Sequence, residues 1–327
     1  MGVKSKKMLL LIFLGIILAV SLHARGRSDG GVRDLTIYSV RGPTGVGMIR
    51  LFDSPPEIDG FNVSVEALAH VDLIAARFIS GQAFVGILPP NMAARIASSG
   101  RDIRAAAVIN TGMLSLLTSD PDIRGIAYLR GRTVQVAGQG ATPDFVFRRI
   151  LAYHGLTAER DVTLGFALAF PEIAQSLIAG RISTALLPEP FASMALLGRP
   201  DLRHVADIQE EWTRAANAAA FPMTLLVVDG AFADANPAAM EKIIYAVKES
   251  IEWVKANPAG AGAMVERHDL GLGAAIVAAS VPRSNFAFIR AHDARPSLEA
   301  LFNVFLEHSP ASIGGALPDD RFYFSGR

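Results

Sequence analysis

The chain has 327 residues, 51% of them hydrophobic, and single cores stop growing near roughly 250–300 residues, so two lobes are expected. Its 31 basic and 31 acidic side chains cancel, which removes the electrostatic case for a nucleic-acid or strongly acidic partner. With 19% of residues charged and no cysteine, a disordered chain and a cysteine-linked lipid anchor are excluded, and an oxidising compartment is accommodated.

The first element is apolar. "MGVKSKK" carries three lysines, and "MLLLIFLGIILAVSL" follows with 15 uncharged residues. As a helix that run spans about 22 Å against a hydrocarbon core of roughly 30 Å. A basic start, a short apolar run and "HA" before a polar stretch describe a secretory signal peptide over 1–24, ending near Ala24. An uncleaved membrane anchor is the alternative. "RGRSDGG", within 25–31, reads as a linker. The G-x-S-x-G match within it has neither a strand before nor a helix after, so it is no nucleophile elbow.

From Leu35 short apolar runs alternate with helical-period segments. "LTIYSV" is strand-like, "GPTGVGMIRLFD" turns into a short helix, and "FNVSVEAL" alternates at period two. "VDLIAARFISG" has helical spacing and "AFVGIL" suits a buried strand. "NMAARIASSG" reads as a helix capped by Asn91, and "IRAAAVI" is strand again. After "TSDPD" the pattern restarts through "TVQVAG", "VTLGFA", "FPEIAQSLIAGR", "STALLP", "EPFASMALLG" and "LRHVADI". "QEEWTRAANAAA" is a polar passage, and "FPMTLLVVDG" is the last strand expected. "NPAAMEKIIYAVKESIEWVKANP" places apolar residues at 240, 243, 244, 247, 251 and 254, one stripe of a long helix with Pro237 at its first position. Regular strand–helix alternation argues for parallel βαβ units. The expected organisation is a discontinuous first lobe, 32–118 with 220–327, and an inserted second lobe, 119–219. Two crossings between them make a hinge, with a cleft between the lobes.

No catalytic set emerges. The seven histidines, His23, His70, His154, His204, His268, His292 and His308, show no metal-ligand spacing, and no phosphate loop or dinucleotide fingerprint is present. Neither a metal nor a cofactor is expected. What remains are loops at strand ends, where open α/β sheets bind ligands. In the first lobe these offer Arg41, Gly42 and Thr44 from "SVRGPTG", with Asn91 from "LPPN" as an addition and His70 and "INTG" nearby. In the second, "GQGATPD" offers Gly138, Gly140 and Thr142, the last also a helix cap, with Asp144 complementing the helix dipole. The amides of Gly140 and Ala141 are expected to bond a polar ligand atom. Glu189 of "PEPF" reads either as a carboxylate at a helix start or as an acceptor for a ligand N–H. Phe166, Phe170 and Phe221 are the rings available for stacking, and Glu66 suits an amine.

"GQGATPDFVFRRILAYHGLTAERDV", "AQSLIAGRISTALLPEPFA", "NPAAMEKIIYAVKESIEWVKANP" and "SIGGALPDDRFYF" together resemble the periplasmic substrate-binding proteins of ABC importers. The branch is the group that serves aliphatic sulfonates, nitrate and thiamine-pyrimidine precursors, and the resemblance covers most of 35–324. It implies an α/β fold of the type II periplasmic-binding kind, two βα lobes on a two-segment hinge, and capture of a small solute by closure. It also implies a monomer that meets an importer's membrane permease, outside the cytoplasm. The rival class is an enzyme on the same fold, in thiamine-pyrimidine or menaquinone biosynthesis, which would need an acid–base or nucleophile set and no export segment. A regulator's effector domain would need a basic helix-turn-helix, which the sequence lacks.

Overall fold

In the computed structural model, residues 32–326 are described; the expected signal peptide and linker lie outside the described residues. Strict alternation in "FNVSVEAL" produces β2 (Phe61–Leu68), with every second side chain turned inward. It lies parallel beside β1 (Arg33–Val40) in full register, Arg33 opposite Phe61 through Val40 opposite Leu68. Between them the chain makes a 3-10 turn (Pro43–Met48) and α1 (Arg50–Asp53). Then follow α2 (Val71–Ile79), β3 (Val85–Leu88), α3 (Pro90–Ser98) and β4 (Ile103–Thr111). All four residues of β3 are buried, as a strand covered on both faces requires.

The second run comprises β5 (Leu114–Thr118), β6 (Thr133–Val136), α4 (Thr142–Tyr153), β7 (Thr163–Gly165), α5 (Phe170–Ile178) and β8 (Thr184–Pro188). It continues with α6 (Phe191–Gly198), β9 (Arg203–Asp207) and α7 (Ile208–Ala216). The chain then forms β10 (Pro222–Asp229), α8 (Gly230–Ala235), α9 (Pro237–Ala256), α10 (Pro258–Arg267), α11 (Ala274–Ser280), β11 (Phe286–Arg290) and α12 (Ala291–His308). In α9 the expected stripe is buried throughout: Met240, Ile243, Ile244, Val247, Ile251 and Val254. Each such side chain contributes about 1.5–3 kcal/mol by leaving water. Among the described residues no helix is long and apolar enough to cross a membrane.

The strands make two sheets, ordered β11-β4-β10-β3-β1-β2 and β7-β6-β8-β5-β9. Three expectations need correction. A strand does follow β10: "FAFIR" pairs antiparallel with β4 at the sheet edge. It is short, half-exposed and runs straight into a helix, so it shows no alternation to read. The 118/119 boundary falls too late for the sheets, because Leu114–Thr118 pairs with β8 and β9 in the second one. The chain therefore leaves the first sheet at Gly112 and Met113 and returns across 217–221. Asn91 is not a cap: Pro89 holds that position, Pro90 opens the helix, and Asn91 lies inside its first turn. A proline suits the start of a helix, where the missing N–H would be unpaired anyway.

Candidate functional site

Strand polarity locates the site. In the first sheet β1, β2 and β3 run parallel, and β10 is antiparallel to both β3 and β4. The ends at Val40, Leu68, Leu88 and Thr111 therefore share one edge with the start of β10. In the second sheet the ends of β6, β7 and β8 share an edge with the start of β5 and the end of β9. Both chain crossings join these two edges, so the edges face one cleft.

On the first-sheet side a cavity of about 250 Å³ is lined by Arg41, Thr44, His70, Leu88, Pro89 and Met223 among others. Its shape depends on glycine at two points. Gly42 has φ +97° and donates its N–H to Leu270 O at 2.9 Å. At Gly45 a Cβ would sit 2.2 Å from Val40 O, so the turn can close only without a side chain. Among the described residues Arg41 has one ion-pair partner, Asp269 at 3.8 Å, and both side chains are exposed. His70 precedes α2 without capping it. The lining stops at Pro89, and Asn91, two residues further on, is not part of it. Glu66 pairs with Arg77 at 3.6 Å, and that guanidinium also donates to Tyr38 Oη at 2.7 Å.

The second-sheet loop is wired internally. Gly138 and Gly140 are exposed at φ +77° and +74°. Gly140 donates its N–H to Asp144 Oδ2 at 2.9 Å, and Ala141 donates to Gly138 O at 3.0 Å. The two amides expected to meet a ligand are thus already paired within the chain. Arg148 Nε, at 2.5 Å, holds the other oxygen of Asp144. Thr142 is the first helical residue, buried, with Ala141 before it as the cap position, so it does not cap α4. Gly138, Gly140 and Thr142 share neither the cavity lining nor a hydrogen bond with Arg41 or Thr44. Gly140→Val is therefore expected to cost about 1–2 kcal/mol of folding stability, because valine must enter the left-handed region. Gly140→Asn, which tolerates that region, should lose much less. Urea unfolding of the two variants checks the order.

Glu189 is fully buried and its carboxylate is taken. Oε2 accepts from the Ser193 N–H at 3.0 Å and Oε1 accepts from Arg283 Nε at 2.7 Å. It is the helix-start carboxylate of the two readings, with an arginine added that the sequence did not suggest. Phe221 is also withdrawn from ligand stacking: it is fully buried against Trp212, with centroids 5.6 Å apart. Phe170 faces Phe191 at 6.3 Å.

The sequence reading missed the residues that fix the crossings. Gln209 Oε1 accepts from Gly112 N–H at 3.0 Å and from Phe221 N–H at 3.3 Å, while its Nε2 donates to Ala219 O at 3.2 Å. One carboxamide thus ties both crossings. Asn285 adds a second clasp, accepting at its carbonyl from Thr111 N–H at 3.1 Å and donating Nδ2 to Gly112 O. "DIQE" does show a helix start, and Asp207 accepts from the Gln209 and Glu210 amides. Nothing in the sequence marks the Gln209 side chain itself.

The carboxylates held below their ordinary range sit outside the cleft. A hydrogen bond from Arg160, then one from the Thr157 amide, holds Asp161 at about 2, and Arg290 lowers Glu241 by its hydrogen bond. Among the described residues no group of three or more His, Cys, Asp or Glu side chains could hold a metal ion. A larger cavity, about 620 Å³ by Arg104, Asp234 and Tyr323, opens beside the start of β4, away from the crossings. Topology rather than volume identifies the site.

Two βα bodies on two crossings, with a cleft at the strand ends, define a two-lobed periplasmic-binding fold. The chain belongs to the NMT1-like family, whose model matches residues 89–268. Among solved structures it resembles an ABC transporter from Parabacteroides distasonis at 25% identity, covering 90% of this chain and 99% of that one, with a TM-score of 0.78. The periplasmic aliphatic sulphonate binding protein SsuA from Escherichia coli is 16% identical over 90% of this chain and 93% of that one, with a TM-score of 0.71. The periplasmic nitrate-binding protein NrtA from Synechocystis PCC 6803 is 12% identical over 75% and 69%, with a TM-score of 0.58. These last two likenesses show the fold. A comparison with curated proteins yields no match. The resemblance drawn from the sequence fragments therefore holds.

Proposed function

We propose that the chain is an extracytoplasmic receptor that captures a small polar solute by lobe closure and presents it to the permease of an ABC importer. The observation that supports this most is the pair of crossings, at 112–113 and 217–221, tied by one glutamine beside a strand-end cleft. The lobes are then 32–111 with 222–326, and 114–216. A ligand that binds the closed arrangement better than the open one shifts their equilibrium, which is the signal a permease reads. The sulphonate- and nitrate-binding neighbours are periplasmic by name, and an export segment at 1–24 would send this chain to the same place. A monomer suffices, since each chain carries both halves of its cleft.

The solute class follows from charge. Glu66 and Glu189 already have arginine partners, whereas among the described residues Arg41 faces the cavity with only a long, exposed ion pair to Asp269. An anion with an apolar body fits that lining better than an amine or an uncharged pyrimidine. Sulfonates and nitrate-like anions are therefore the candidates, held by Arg41 and Thr44 beside Gly42, with the Gly138–Gly140 loop as the opposing wall. A thermal-shift screen of residues 32–327 against alkanesulfonates, nitrate, pyrimidines and amines tests this. A true ligand at 100 times its Kd should add about 2.7 kcal/mol of stability. A shift with amines alone would overturn the anion assignment, and no shift with any solute class would overturn the receptor reading.

A further inference from the structure

The Glu189 carboxylate joins more than a helix start. It lies at the end of β8, and its Ser193 partner lies in α6, both on the second-sheet side. Arg283 belongs to the 3-10 turn Val281–Arg283, which leads through Ser284 and Asn285 into β11 at the edge of the first sheet. Its Nε donates to Glu189 Oε1 at 2.7 Å and its Nη2 donates to Ser193 Oγ at 2.7 Å. One guanidinium therefore spans the two bodies, and α11, immediately before it, packs on α6.

We propose that Arg283, with Glu189 and Ser193, is a latch that holds the lobes in the arrangement seen here and parts when they open. The proposal rests on the two-lobed receptor reading. Its warrant is the asymmetry of the pair. The Glu189 side chain is 0% exposed and that of Arg283 is 41% exposed. An arginine in this position can return to water, while the carboxylate keeps the Ser193 amide and gains water from the opened cleft. A tie within a core would bury both partners. The latch lies beside the first crossing, where the Glu189 N–H donates to Met113 O at 2.9 Å and Asn285, two residues after Arg283, donates to Gly112 O. Its side-chain bonds are distinct from those of Gln209 and from the apolar contact of Phe145 with Phe305 at 5.3 Å. Losing the arginine leaves a buried carboxylate without its countercharge, and this penalises only the arrangement in which Glu189 stays enclosed. Opening relieves it.

The test uses the absence of cysteine from the sequence. Asp59→Cys and Asp122→Cys, one exposed position on each side, carry nitroxide labels, and pulsed electron resonance reads the distance between them without any solute. Arg283→Gln should raise the longer-distance population roughly tenfold over the parent. Ser193→Ala, which removes one acceptor of the guanidinium, should fall between the two. Superimposable distributions for Arg283→Gln and the parent would overturn the latch. Should Arg283→Gln not fold by circular dichroism, Arg283→Lys, which keeps the charge and loses the second bond, decides by the same readout. Because no solute is present, failure here is distinct from failure of the solute screen.

Discussion

Gly112→Ala is expected to cost about 1–3 kcal/mol, and Phe221→Ala about 3–5 kcal/mol, while the double variant should lose distinctly less than the sum. A Cβ on Gly112 would sit 2.2 Å from Phe221 Cε1, 2.5 Å from its Cζ and 2.6 Å from Gln209 Oε1. Phe221 cannot retreat, since it is fully buried with its ring edge against Trp212. Gln209 cannot retreat either without releasing the amides of both crossings. Gly112 is thus required for closeness of approach, not for an unusual φ. Removing the ring of Phe221 opens a cavity, and it also frees the space that an alanine at 112 needs. Urea unfolding of the two single variants and the double gives the coupling. Strict additivity would mean that the methyl finds room elsewhere and that the crossings are not packed against each other.

The crossing region also shows how far the sequence could be read. Helices and strands with a full period were legible: β2 alternates along its whole length, and the α9 stripe is buried at each expected position. Those signals are local, because one buried face imposes one spacing. Partnering was not legible. Leu114–Thr118 has the composition of a strand for either sheet, and only pairing with β8 and β9 assigns it. Gln209 reads as one polar residue in a polar helix, and its work depends on two amides at 112 and 221.

The glycine-rich loop before α4 shows the same limit in another form. Bare backbone before a helix start suggested an approaching ligand, yet the positive φ at Gly138 and Gly140 and the carboxylate of Asp144 account for it. The chain folds back on its own amide, and Asp144, expected to complement a dipole, is the acceptor. Glu189 misled in the opposite direction. Its two expected duties were a helix start and a ligand N–H, and the arginine that also holds it is 94 residues away. At the cavity the reading fared differently: the structure brings Arg41 and Thr44 into one lining with His70 and Met223, although a strand-end position alone gave no distance between them.

Arg41 carries the sharpest functional expectation. Arg41→Gln should weaken binding of the anion found in the screen by about 2–4 kcal/mol, roughly 30- to 1000-fold, because lobe closure over the anion takes the charge pair out of water and truncating one partner then strands the other. Folding stability should change little. Among the described residues the ion pair lost is the 3.8 Å contact with Asp269, both side chains being exposed, and such pairs contribute at most about 1 kcal/mol. Arg41→Lys should recover part of the affinity, since a point charge replaces a fork of donors. Asp269 supplies a control of opposite sign. Its carboxylate competes with the ligand for Arg41, so Asp269→Asn should tighten anion binding a few-fold. Asparagine suits the backbone there, where φ is +50°. Calorimetry on the three folded variants measures the series. Undiminished affinity in Arg41→Gln would remove the arginine from the site, and weaker binding in Asp269→Asn would mean that the carboxylate positions the guanidinium rather than competing for it.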